Sequence, residues 1–289
     1  MNEFKEIKLD NYIPSGESYN AITYVNKNND NEMLKLYASR IEKQTVIDEF
    51  VLAKQVYDLK VKSPKPYELV KFNDQYGITF ERIKHKVSFA RAIGNNPDRA
   101  EELAKIFAIE TRKIHNIVIK DTSNVTDWEK YLRELVSKTN VVDDEVKTLL
   151  FKLLDKTEKT TTFLHGDLHL GNILLANDEI YWIDMGGFAY GNPLFDLGKL
   201  AFSSYIMTDQ PIIYEILHID YETSKKIWPT FIKEYFKCGD DKISYYTDII
   251  LCYTLYFEIY MCDVFHRSIL PPEKKEFLIN QIKKVLPTL

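Results

Sequence analysis

The stretch FLHGDLHLGNILL, residues 163–175, gathers His165, Asp167, His169 and Asn172 between apolar flanks and spaces them with Gly166 and Gly171. A chain with only ten glycines and six histidines spends two of each here. Hydrophobic runs on both sides anchor a rigid loop between two short strands, where polar groups can be held at fixed distances. Downstream, ILLANDEIYWI leads to Asp184 in IDMGG. Segments of period two around Asn177 and Asp178 predict a tight hairpin, which returns Asn172 and Asp184 to one end of it. Phosphoryl transfer from a nucleotide needs a carboxylate to take the proton of an attacking hydroxyl, and oxygen ligands that hold Mg²⁺ against the phosphates. Asp167 suits the first role; Asn172 and Asp184 suit the second.

The elements that must position these residues can be read from the remaining sequence. AITYV and EMLKLY, within residues 20–37, flank the polar turn NKNNDN and predict a hairpin. In residues 42–59 Val46, Phe50, Ala53 and Tyr57 recur at helical spacing, and the pattern ends before the breaker SPKP. A second hairpin follows, YELVKF and YGITFERI around NDQ. Residues 97–157 read as helices opened by Pro97. From residue 194 onward the pattern is helical and rich in aromatic residues, as in YYTDIILCYTLYFEIYMCDVF, residues 245–265. The composition shifts near residue 82, dividing a strand-rich segment, 1–82, from a helical one, 83–289. Glycines 166, 171, 186, 187, 191 and 198 concentrate close backbone approach within one span.

The chain has 289 residues, 45% of them apolar, enough for one large fold or two lobes with a sizeable core. The net charge of −5 and the absence of a Lys/Arg block argue against a nucleic-acid partner. No apolar run approaches the roughly 20 residues of a membrane span, and MNEFKEIKLDNYIPSG lacks a secretory-type apolar core, so a cytoplasmic protein is expected. Cys238, Cys252 and Cys262 form no metal-ligand pattern and read as reduced core thiols.

HGDLHLGN resembles the catalytic loop of protein-kinase-like enzymes with Gly166 in place of arginine, and DMG at 184–186 resembles their metal-binding Asp-Phe-Gly. The form H-G-D-x-H-x-x-N followed by GNPLFDLGKL at 191–200 is similar to the aminoglycoside phosphotransferase and choline kinase family, whose members phosphorylate small-molecule hydroxyls. The resemblance implies an α+β, bilobed protein-kinase-like fold. A small antiparallel-sheet N-lobe, residues 1–82, would cover the nucleotide, and a larger, mainly helical C-lobe, residues 83–289, would carry the catalytic loop and the substrate site. It implies ATP, with GTP as the alternative, and Mg²⁺ in the cleft between the lobes. Lys35 takes the place of the family's phosphate-contacting lysine, sharing a strand face with Met33 and Tyr37; Glu49 is its implied helix partner, with Glu42 and Asp48 as neighbouring competitors. PSGESYNAITY, residues 14–24, departs from a G-x-G-x-x-G pattern, so Ser15, Gly16 and Ser18 would approach the phosphates. Adenine would meet FERI, residues 80–83, which includes Glu81 and Ile83.

Simpler roles account for neighbouring residues. His165 can buttress the loop through a backbone hydrogen bond, His169 can pack or touch substrate, and Asp196 at a helix start can accept N–H groups and hold neighbouring loops. Two other chemistries compete. A two-metal phosphoesterase needs more His/Asp clusters than the scattered His85, His115, His218 and His266 supply. A protein kinase needs a long activation segment, whereas eleven residues separate Asp184 from Asp196. A small alcohol is therefore the expected acceptor. The ten acidic residues of 209–263, interleaved with Tyr214, Tyr221, Trp228, Tyr235, Tyr246, Tyr253, Tyr256 and Tyr260, would suit an amine-bearing one if they line a pocket rather than a core.

Overall fold

The computed structural model describes residues 3–17, 20–266 and 268–289. The chain divides into two compact units, one of residues 1–87 with 173–187, the other of residues 88–172 with 188–289. The hairpin that carries Asp184 thus belongs with the N-terminal residues, although a division at residue 82 leaves it in the C-terminal segment.

The first unit is built on a six-stranded sheet in the order Lys5–Glu6, Pro66–Phe72, Gln75–Glu81, Glu32–Tyr37, Ala21–Asn26, Tyr12–Glu17, antiparallel except for its first pair. Alternation along Glu32–Tyr37 sends Leu34 and Leu36 to one face, with Tyr12, Tyr24 and Val70. Tyr37 goes to the other, where Leu69 and Ile78 meet Val46 of the helix Lys43–Asp58. Lys35 shares that second face by the same period. Tyr12–Glu17, which overlaps the segment 14–24 that the sequence offers to the phosphates, is a strand with an irregularity between Pro14 and Gly16. The hairpin Ile173–Ala176 with Glu179–Trp182 turns through Asn177 and Asp178 at φ 49° and 64°, the paired left-handed conformation that matches strand twist in two-residue turns.

In the second unit the sequence's helical spans appear as Ala100–His115, Trp128–Lys138, Asp144–Lys156, Leu194–Ala201, Tyr221–Phe236, Ile243–Phe265 and Pro272–Val285, among others. Asp127, Asp143 and Asp220 cap three of them by accepting the backbone N–H three residues on. Pro97 opens a single 3₁₀ turn ahead of Ala100–His115. A small sheet joins Ala189–Tyr190 to Phe163–Leu164 and Thr126–Asp127, anchoring the strand that leads into the polar loop. The apolar stripes of Trp128–Lys138, Asp144–Lys156 and Ile243–Phe265 merge in one core containing Leu132, Leu150, Leu153 and Leu255. Tyr253 and Tyr256 belong to that core, Trp228 is buried, and Tyr246 stacks on Phe236, so these aromatics are packing groups. Cys252 is buried, while Cys238 and Cys262 are partly so; all three are free thiols. Among the described residues no helix is long and apolar enough to cross a membrane.

Gly198 lets the helix Leu194–Ala201 approach Ile243–Phe265 closely: a Cβ there would lie 2.7 Å from the Tyr253 backbone carbon. Alanine normally stabilises a helix relative to glycine by up to about 1 kcal/mol. Here the backbone contact reverses the sign, and Gly198→Ala is expected to destabilise by about 1–3 kcal/mol. Calorimetry should read this as a lower melting temperature, by roughly 2–4 °C per kcal/mol.

Candidate active site

Each unit holds its own polar cluster. In the first, the Lys35 ammonium lies 2.8 Å from Glu49 Oε1 and 3.1 Å from Asp184 Oδ1, over the ring of Tyr37. Burial disfavours that ammonium, but Glu49 and then Asp184 outweigh it and hold the Lys35 pKa well above the usual lysine range. The lysine is therefore a permanent cation with two carboxylates. Of the competitors for this pairing, Glu42 is the residue before the helix, and Asp48 accepts a hydrogen bond from Gln44. Asp184 adopts a left-handed backbone, φ 60°, which an Asp tolerates and which turns its carboxylate out of the preceding strand's direction.

The three residues wall a cavity of about 210 Å³ whose other lining includes Met33, Phe80, Ile83, Leu174 and Trp182. An apolar slot with charged groups among its lining suits a flat base carrying phosphates. Ile83 lies in it, as does Thr23, which sequence reasoning passed over. Thr23 Oγ1 donates to Gly16 O at 3.2 Å and lies 3.4 Å from Ser15 Oγ, so Ser15 and Gly16 reach this region through it rather than as lining residues. Glu81 is likewise off the cavity wall, with its carboxylate accepting from Lys65 N. Ser18 lies outside the described residues.

In the second unit the polar loop is organised by Asp196. Its carboxylate accepts His165 N–H at 2.6 Å and Gly166 N–H at 2.9 Å. His115 Nε2 adds a third contact at 3.1 Å, and the Tyr235 hydroxyl lies 2.7 Å from Nδ1 on the other side of that ring. With an ionised acceptor on one side, the consistent assignment is Nε2–H toward Asp196 and Tyr235 O–H toward Nδ1. Burial would raise the Asp196 pKa, yet the His115 hydrogen bond together with His165 outweighs it and holds the carboxyl below its ordinary value. Gly166 sits at φ 76°, a conformation open to glycine at no cost, and presents its N–H to Asp196. His165 Nδ1 accepts from Asp167 N–H, and His169 Nδ1 from Gly171 N–H, so both imidazoles brace the loop.

Asp167 and Asn172 come together. Asn172 Nδ2 donates to Asp167 O at 2.9 Å and to Oδ2 at 3.1 Å, which leaves the amide oxygen as the group's remaining ligand atom. Lys199 Nζ, absent from the residues singled out in the sequence, approaches Asp167 Oδ1 to 2.7 Å, and His169 Nε2 is 3.7 Å from Oδ2. Burial opposes ionisation of Asp167; Lys199 first and His169 after it prevail, and the carboxyl stands well below its usual range. No local spacing signals Lys199, whose partners Asp167 and Gly166 lie in a loop on another element.

Among the described residues no group of three or more His, Cys, Asp or Glu side chains is placed to hold a metal. A two-metal phosphoesterase centre needs such a group, whereas Mg²⁺ at a nucleotide uses one or two carboxylates and completes its shell with phosphates and water. Within its own unit, Asp184 in the first and Asn172 in the second each offers a hard oxygen donor of the kind Mg²⁺ takes.

A model described as the phosphotransferase enzyme family matches residues 13–231. Protein LicA homolog of Mycoplasma capricolum subsp. capricolum is 24% identical over 157 residues, 53% of this chain and 62% of that protein, so the match spans less than two thirds of its length. The aminoglycoside phosphotransferase APH(4)-Ia, in a ternary complex with ADP and hygromycin B, aligns with a TM-score of 0.59 at 11% identity, covering 96% of this chain and 93% of that one. Amicoumacin kinase hAmiN with AMP-PNP, Ca²⁺ and Ami gives 0.55 at 14% identity, over 99% and 90%. A choline/ethanolamine kinase family protein from Mesorhizobium loti gives 0.56 at 10%, over 95% and 87%. Likeness at these identities establishes the fold, the bilobed α+β fold of the protein-kinase-like enzymes.

Asp196→Asn should destabilise the protein by roughly 3 kcal/mol or more, because the amide cannot accept from two N–H groups and an imidazole N–H as a carboxylate does. The depressed Asp196 pKa also fixes a sign. Its contribution is complete above the unfolded-state value, about 3.9, and is lost as pH falls through the lower folded value. Melting temperatures measured down through pH 4 should therefore fall more steeply for the wild type than for Asp196→Asn; parallel curves would contradict the assignment.

Proposed function

The chain belongs to the phosphotransferase enzyme family, and on that premise we propose that it transfers the γ-phosphate of a nucleoside triphosphate to a hydroxyl of a small molecule in the cytoplasm. The nucleotide is ATP, with GTP as the alternative. The observation that carries the reading is the Lys35 ammonium held between Glu49 and Asp184 on the wall of a largely apolar cavity. Such a cation, fixed beside a slot for a base, is what phosphate oxygens require.

We assign the nucleotide to the first unit and the acceptor's chemistry to the second. Lys35 would contact the phosphates, Glu49 would hold Lys35, and Ile83 with the backbone near Glu81 would meet the base. Ser15 and Gly16 would serve the phosphates from the strand end near Thr23, and Ser18 is proposed for the same role from its place in the sequence. Asn172 and Asp184 would hold Mg²⁺, which when bound supplies charge neutralisation for the phosphates. Asp167 would orient the acceptor hydroxyl and receive its proton as the oxygen bonds to phosphorus.

An amine-bearing alcohol or an aminoglycoside is the acceptor class supported first, since similar folds are seen with hygromycin B and with amicoumacin kinase's ligand Ami. The cation would have to meet groups other than Tyr253, Tyr256 and Trp228, which are spent on the core. Acceptors of protein size gain no support from the segment between Asp184 and Asp196, which is taken up by the turn Met185–Gly187, the strand Ala189–Tyr190 and the start of Leu194–Ala201.

Calorimetric titration with ATP should show binding that strengthens with Mg²⁺, and Lys35→Met should weaken it while leaving the fold intact. Metal-independent binding, or none to either ATP or GTP, would overturn the reading. Asp167→Asn should lower turnover by roughly 10²–10⁴-fold with nucleotide affinity nearly unchanged, checked by steady-state ADP release beside the titration.

A further inference from the structure

Lys199 has no task in the roles assigned so far, yet its surroundings are built around its charge. Its side chain is 12% exposed and its Nζ reaches Asp167 Oδ1 at 2.7 Å and Gly166 O at 2.8 Å. The same ammonium lies 4.6 Å from the Phe257 ring centroid and 5.5 Å from that of Tyr260, within the range at which aromatic faces attract a cation. An ammonium has three donors; two are spent on the loop and the remaining direction meets the rings. Trp128 and Phe195 help close the walls, and the space left, about 10 Å³, is at the lower limit for a single water. The cage is filled by the chain's own cation.

The arrangement fixes Asp167 from both sides. Lys199 holds Oδ1, Asn172 Nδ2 touches Oδ2, and Gly166 O ties the same lysine to the loop that Asp196 organises. Truncating the lysine would leave one carboxylate oxygen without its partner and free the side chain to rotate. A carboxylate that must meet a hydroxyl within hydrogen-bond reach cannot rotate freely and remain effective.

We propose that Lys199 is a positioning residue for phosphoryl transfer: caged by Phe257 and Tyr260, it pins Asp167 Oδ1 so that Oδ2 is the oxygen presented to the acceptor hydroxyl. The inference rests on the phosphotransfer reading. In the transfer, the acceptor O–H bond breaks as its oxygen bonds to the γ-phosphorus, and the bond from that phosphorus to the bridging oxygen of the diphosphate breaks. The hydroxyl proton passes to Asp167 and then to solvent. Lys199 neither gives nor takes a proton; its contribution is placement.

Lys199→Met and Lys199→Ala, made in the full chain, test this. Lys199→Met should lower kcat by roughly 10²-fold, with the acceptor KM and the Mg²⁺-ATP affinity near wild-type values. Lys199→Ala should be equally slow but regain rate when ethylammonium is added, because the emptied aromatic cage accepts a small cation; Lys199→Met, whose side chain fills it, should not respond. The side-chain amide signal of Asn172 in NMR spectra reports the placement of Asp167 without any acceptor. It should be single in the wild type and broadened or doubled in Lys199→Met. Wild-type turnover in Lys199→Met, an unchanged Asn172 signal, or no response of Lys199→Ala to ethylammonium would overturn the proposal. Absence of acceptor-dependent turnover in the wild type would instead overturn the phosphotransfer reading, and the Asn172 signal would still decide the placement role.

Discussion

The buried carboxylate of Asp196 is the constraint on which the second unit's site depends. It takes the N–H groups of His165 and Gly166, backbone donors that a tight loop cannot satisfy within itself. Because those donors belong to residues flanking the start of the loop, the direction in which Asp167 leaves it is set by a group on another element, the helix Leu194–Ala201. His115 and Tyr235 extend the hold to Ala100–His115 and Tyr221–Phe236, so three helices converge on one carboxylate. Gly166 suits the junction because it holds a left-handed backbone, φ 76°, without steric cost while its N–H meets Asp196.

The same electrostatic solution appears in both units. A carboxylate removed from water would ordinarily take up a proton, and an ammonium would ordinarily lose one. Pairing reverses both tendencies: Lys35 remains charged between Glu49 and Asp184, and Asp167 remains charged against Lys199 and His169. Such pairs add little net stability once desolvation is counted. Their value is that charge is present and oriented before any substrate arrives, which is the condition for electrostatic stabilisation of a transferring phosphoryl group. Membership of the phosphotransferase enzyme family, whose model matches residues 13–231, agrees with what these pairs can do.

Much of this was legible in the sequence, for identifiable reasons. Asp167, Asn172 and Asp184 stood out because polar residues and glycines interrupt runs that are otherwise apolar. The turn at Asn177 and Asp178 followed from residues that tolerate positive φ, and the period of two placed Lys35 on the face that meets Glu49. Asp196 was read as an acceptor of N–H groups that holds neighbouring loops, and in the structure the loop it holds lies thirty residues earlier. Lys199 and His115 were not legible, because their partners are distant in sequence and a lysine on a short helix looks like an exposed charge until the aromatic rings of Ile243–Phe265 are placed around it. The strand Tyr12–Glu17 was hidden by Pro14 and Gly16, which signal a loop when read locally; pairing with Ala21–Asn26 absorbs them in an irregular register. The aromatic residues of 209–263 carried two readings, and near-complete burial decides for packing in the case of Trp228, Tyr253 and Tyr256.

The central claim is that Asp167, held by this loop, directs a nucleotide's γ-phosphate onto an alcohol. The most direct test is a screen of amino-alcohols, aminoglycosides and neutral sugars with Mg²⁺-ATP and Mg²⁺-GTP, coupling ADP or GDP release to mass spectrometry of the acceptor. The account predicts acceptor-dependent nucleoside diphosphate release matched mole for mole by one phosphate on an acceptor oxygen. Diphosphate release that accompanies only inorganic phosphate, whatever acceptor is present, would contradict it.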